Sequence, residues 1–72
     1  MNIKKKKGAF VPQMIKQSGL KPVSAVKMKE DFVVETIYGN THGRKGDYKV
    51  KMETGEEFPV DKNVFKECFE EK

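Results

Sequence analysis

Asp47-Tyr48-Lys49-Val50-Lys51-Met52-Glu53 alternates more cleanly than any other stretch of the chain. Tyr48, Val50 and Met52 fall on one side of an extended backbone, and Asp47, Lys49, Lys51 and Glu53 on the other. Neighbouring side chains of a strand point to opposite faces, so this pattern describes a sheet with one dry and one wet face. The flanking residues extend the reading. Thr54-Gly55-Glu56 is a short turn, and Glu57 to Val60 a returning strand that Pro59 confines to an edge. Upstream, Phe32 to Tyr38 is β-branched and aromatic, with Phe32, Val34, Thr36 and Tyr38 on one face and Val33, Glu35 and Ile37 on the other. Val23 to Met28 reads as another strand, with Pro22 tolerated at its start. Only Lys29, Glu30 and Asp31 separate these two strands, which predicts an antiparallel meander.

Two helices frame the strands. Pro12 to Ser18 forms a short one: Pro12 suits a first turn, and Gly19 fits the left-handed residue that stops a helix. Leu20 would pack back on Ile15, and Phe10, Met14 and Ile15 would make the apolar side. The second helix starts at Asp61, whose carboxylate can cap it, with Val60 and Phe65 stapling its first turn. Val64, Phe65, Cys68 and Phe69 form its stripe. Glu67, Glu70 and Glu71 sit where the macrodipole disfavours anions, so packing must hold this helix on the sheet. The predicted fold is α+β and mostly β. It is a small curled antiparallel sheet of about four strands, SH3-like or a partly open barrel, with a short N-terminal helix and a C-terminal packing helix.

A chain of 72 residues is one domain. It buries only about 60% of its unfolded surface, too little to support a deep catalytic cleft, so it is expected to work by presenting a surface and not as an enzyme. The lone Cys68 excludes an internal disulfide and suits a reducing compartment. No apolar run approaches the roughly 20 residues of a membrane span, and the lysines after Ile3 lack the apolar stretch of a secretory signal. A cytoplasmic location is expected. The net charge of +4 conceals a polarity: eight cations and no acid up to Lys29, then eleven acids against seven bases. Residues 1–8 accordingly read as a basic flexible arm, and residues 9–72 as a single small β-rich domain.

Few motifs carry chemistry. Gly43-Arg44-Lys45-Gly46 is a literal GxxG, but in KH domains that loop joins two helices, whereas here it lies between strands and reads as an exposed turn. Lys4, Lys5, Lys6 and Lys7 could attract phosphates. Lys7-Gly8-Ala9-Phe10-Val11 lacks the spacing and second aromatic of an RNA-recognition motif. His42, Asp47 and Cys68 make an imaginable triad, yet Cys68 falls within an apolar stripe, where a thiol behaves as a small hydrophobe. One His and one Cys do not make a four-ligand zinc site. Glu56 and Glu57 point to opposite faces of a strand. No phosphate-cradling loop is present, and no cofactor is expected.

The order of several elements resembles a group of short phage and prophage proteins. The resemblance rests on Lys21-Pro22-Val23, Ala25-Val26-Lys27-Met28, Phe32-Val33-Val34-Glu35-Thr36, Gly43, Gly46-Asp47-Tyr48-Lys49-Val50, Gly55-Glu56-Glu57-Phe58-Pro59-Val60 and Asn63-Val64-Phe65. Those proteins carry a Pro-Gly-Asp-Tyr or Pro-Gly-Asp-Trp element, then Gly-Glu-x-x-Pro, then a Phe-containing segment. Here Lys45 replaces the usual proline, and residues 1–20 form a longer, more basic leader. The resemblance implies a phage origin and a small β-rich domain, with no settled activity.

Three functions follow as expectations. The first is a protein-binding module that engages or inhibits a host protein, a defence component among the candidates, through His42, Arg44, Lys45, Lys49 and Lys51. Strand addition at an edge, or self-association into a homo-oligomer, belongs to the same reading. The second is nucleic-acid binding through Lys4, Lys5, Lys6 and Lys7 assisted by Arg44 and Lys45. The third is capture of a small ligand such as a nucleotide signal.

Overall fold

The computed structural model describes all 72 residues. In chain order the elements are β1 (Ile3–Lys5), α1 (Gln13–Ser18), β2 (Pro22–Lys27), β3 (Phe32–Thr36), β4 (Gly39–Gly43), β5 (Tyr48–Met52), β6 (Glu57–Val60), α2 (Lys62–Cys68) and β7 (Phe69–Glu71). All strand pairs are antiparallel and fall into three open ladders: β1 with β7, β2-β5-β6, and β3 with β4. An isolated Asn2–Ser24 bridge joins the first ladder to the edge of the second. No closed barrel forms, and there are seven strands where about four were expected.

The alternating stretch is the central strand. Val50 and Met52 are buried and Tyr48 half-buried, while Lys51 faces solvent. Val50 lies opposite Ala25 on one side and Phe58 on the other, and all three are buried. The core is completed by Ile3, Ile15, Val60, Phe65, Cys68 and Phe69. Tyr48 stacks on Phe65 with ring centroids 3.7 Å apart, and Phe65 meets Phe69 at 5.5 Å. Pro59 lies on β6, at the edge of its ladder, where its missing N–H is harmless.

Both helix boundaries follow the local chemistry. Gly19 takes φ 71° and its N–H donates to the Lys16 carbonyl, ending α1. The Asp61 carboxylate accepts from the N–H groups of Asn63 and Val64, opening α2. Val64, assigned to the stripe, is instead exposed, as is Phe10.

Three expectations are corrected. The meander is replaced by a pairing of β2 with β5, because Met28 donates to the Asp47 carbonyl and accepts from Gly46 N–H, which ties its end to the start of β5. The basic arm is not free. Ile3 is buried, Lys4 faces Glu70 across the ladder with a 3.7 Å ion pair, and Lys6 N–H donates to the Cys68 carbonyl. The N-terminal ammonium and carbonyl of Met1 bond Ala25 at 2.8 Å each, which closes the outer edge of β2. The C-terminal helix stops at Cys68, and Glu70 and Glu71 belong to β7. Their charges answer the lysines of β1 and do not act on the helix end.

Candidate functional site

The Gly43–Asp47 loop shows how local chemistry builds a rigid turn. Gly43 lies opposite Phe32, whose ring covers the glycine so closely that a methyl there would overlap it. Gly46 adopts φ 92°, a conformation that favours glycine. Asp47 then acts as a bracket: one carboxylate oxygen accepts from Arg44 N–H at 3.1 Å and the other from Lys62 N–H at 3.2 Å. Asp31 accepts from Lys45 N–H at 2.8 Å, and Gly46 and Asp47 donate to the carbonyls of Met28 and Arg44. Every amide from Arg44 to Asp47 is already bonded within the chain. An anion cradle needs free amides, so the GxxG motif serves here as a turn.

The residues singled out from sequence are distributed over three places. Arg44 and Lys45 are exposed on this turn, where Lys45 shares a shallow concavity with Lys27 and Lys29. His42 is exposed on β4, directly opposite Val33. Lys49 and Lys51 lie on the outer face of β5; Lys49 is ion-paired with Glu57 at 3.7 Å, and Lys51 lies between Ser24 and Glu57. Lys4–Lys7 run along β1 and just beyond it. Lys5 shares a groove with Lys21, which immediately precedes β2, while Lys27 and Lys45 lie at the other end of that strand. The six residues of β2 span about 17 Å, so the nucleic-acid set splits into two separate clusters.

The imagined triad is not assembled. His42 is on the outside of β4, Asp47 is held by two amides, and Cys68 lies in the core. Burial, reinforced by the Glu67 charge and opposed by Lys5, pushes the Cys68 thiol above its usual range, the reverse of an activated nucleophile. No group of three or more His, Cys, Asp or Glu side chains is placed to hold a metal ion. No helix is long and apolar enough to cross a membrane.

The surface that sequence reasoning missed is the β3–β4 hairpin. Its turn keeps negative φ at Ile37 and Tyr38 and puts the positive φ, 102°, at Gly39. The Thr36 hydroxyl fastens it, donating to the Gly39 carbonyl at 2.8 Å and accepting from Tyr38 N–H at 3.0 Å. Val33, Ile37 and Tyr38 are 56%, 62% and 50% exposed. The pair closing a two-residue loop exchanges both its hydrogen bonds, and bonded pairs alternate along a ladder. With Thr36 opposite Gly39, the N–H and C=O groups of Asn40 and His42 therefore point away from β3. No backbone bond outside the ladder engages them. β4 reads Gly-Asn-Thr-His-Gly, without Lys, Glu or Pro, the residues that usually blunt an edge.

No family model matches the chain, and no curated protein or solved structure matches it.

Proposed function

We propose that this chain is a non-enzymatic, phage-type binding module that engages and inhibits a host protein, accepting an extended segment of that protein as a strand added to β4. The observation that carries the reading is the uncharged open edge of β4 beside the exposed Val33, Ile37 and Tyr38. Main-chain hydrogen bonds to Asn40 and His42 supply affinity in such an arrangement, and side chains flanking the edge supply specificity. Aromatic and aliphatic anchors dominate protein contacts, and Tyr38 with Ile37 has that character. Arg44 and Lys45, at the C-terminal end of the same strand, favour an acidic residue in the incoming segment. The phage resemblance motivates a host partner, and a host defence component is its specific form.

The test is capture from bacterial lysate on immobilised protein, followed by reconstitution of the complex with the purified prey. His42→Pro removes an outward N–H without touching the bonds to β3, and Tyr38→Asp replaces the exposed aromatic anchor with a charge. Each is expected to weaken the reconstituted complex at least about tenfold, some 1.4 kcal/mol, while circular dichroism stays unchanged. Equal binding by wild type and both variants, or no prey above background, overturns the proposal. A second copy of the chain is the competing occupant of this edge, and a dimer in sedimentation velocity that His42→Pro dissociates would favour it instead.

A further inference from the structure

The far end of β2 carries a second surface of different chemistry. A groove of about 500 Å³ lies between the segment before α1, α1 itself and the start of β2. Its apolar lining includes Val11, Ile15 and Leu20, its cations are Lys5, Lys16 and Lys21, and no carboxylate lines it. None of these lysines is in an ion pair; the two ion pairs of the chain are Lys4–Glu70 and Lys49–Glu57. A neighbouring groove shares Lys5 and Lys21 and adds Lys4 and Lys72, with Glu53 as its one acid. Phe10 stands at the margin, 88% exposed, the most exposed large apolar side chain of the molecule.

We infer that this groove binds single-stranded nucleic acid, with a base stacked on Phe10 and the flanking phosphates on Lys5, Lys16 and Lys21. Two features that are unfavourable alone become favourable together with such a ligand. An exposed Phe ring leaves apolar area in water, and three lysines without counter-charges repel one another. A polynucleotide strand covers the ring with a base face and neutralises the cations with its backbone. A duplex satisfies only the second need, because its bases are already stacked. The site uses neither the β4 edge nor Arg44, so its failure leaves the protein-binding proposal standing.

The test is fluorescence anisotropy at low salt with a labelled oligothymidylate of about ten nucleotides, within the range that such grooves cover. A duplex of equal length and an acidic peptide serve as competitors. Binding to the single strand is expected to exceed binding to the duplex. If three phosphates are neutralised, log K should fall with log salt at a slope of about −2. Phe10→Ala, at a position too exposed to affect folding, should lose about tenfold in affinity without changing that slope, since stacking on an aromatic is worth roughly 1–3 kcal/mol. Phe10→Leu should lose as much as alanine does, and Phe10→Tyr should retain binding. Lys16→Gln and Lys21→Gln should each flatten the slope by about 0.7. Absence of binding, equal affinity for duplex, wild-type affinity in Phe10→Ala or Phe10→Leu, or displacement by the acidic peptide alone would each overturn the inference.

Discussion

Ile3→Ala separates a structural N-terminal strand from a free basic arm. Ile3 is 3% exposed and is the buried residue of β1, the strand that zips to β7. The substitution deletes three side-chain carbons, about 2.4 kcal/mol at roughly 0.8 kcal/mol each, and partial collapse of the resulting cavity puts the cost at about 2–4 kcal/mol. A domain of this size has about 4–11 kcal/mol of stability in total, so a single residue near the terminus would carry about a fifth of it or more. With a urea m value of about 1 kcal/mol/M, the midpoint should fall by about 2–4 M. Lys4→Ala is the control: its ion pair with Glu70 is exposed on both sides, and the change should cost less than about 0.5 kcal/mol. Both variants are followed by urea denaturation monitored by circular dichroism. A midpoint for Ile3→Ala within experimental error of wild type would mean that β1 is not part of the folded core and would restore the free arm.

Other substitutions probe the turn and the core. Asp47→Ala hands the exposed amides of Arg44 and Lys62 over to water and should destabilise by about 0.5–1.5 kcal/mol in the same titration. Gly43→Ala drives a methyl into the Phe32 ring and should cost about 1–3 kcal/mol, with shifted Phe32 resonances in an NMR spectrum. Cys68 should resist alkylation by iodoacetamide in the native protein and react at the unfolded rate in urea. Its raised folded pKa means that the unfolded chain releases the thiol proton first as pH rises. The Cys68 contribution to stability is therefore intact below the ordinary thiol range and declines as pH rises through and above it. Cys68→Ala should remove that part of the alkaline decline, and an unchanged profile would contradict it.

The central strand, the end of α1 and the start of α2 were legible because each rests on a local rule. Tyr48, Val50 and Met52 follow the period of a strand, Gly19 supplies a left-handed stop, and Asp61 supplies a cap. What escaped depends on partners distant in sequence. Gly39–Gly43 has no apolar side chain to announce a strand, and it is held in one by the ladder to β3 and the Phe32 ring above Gly43. β1 and β7 were hidden in the charge polarity of the chain. Four successive lysines repel one another in isolation, but Lys4 and Lys5 join a strand in which Glu70 lies across from Lys4 and Phe69 from Lys5. The pairing of β2 with β5 was hidden too, because the short Lys29–Asp31 link suggested a hairpin while the Met28 bonds to Gly46 and Asp47 carry β2 elsewhere. His42, Arg44 and Lys45 were legible as exposed, being polar and next to glycine. Val33, Ile37 and Tyr38 were not, since alternation sorts side chains into faces without saying which face meets water.

Strand addition at β4 is read out by amide hydrogen exchange of Asn40 and His42, measured by NMR with and without the purified host partner. Both amides should exchange fast in the free protein and slow strongly in the complex, with Arg44 to Asp47 protected in either state. Fast exchange of Asn40 and His42 in the complex, with new protection elsewhere on the chain, would contradict strand addition there.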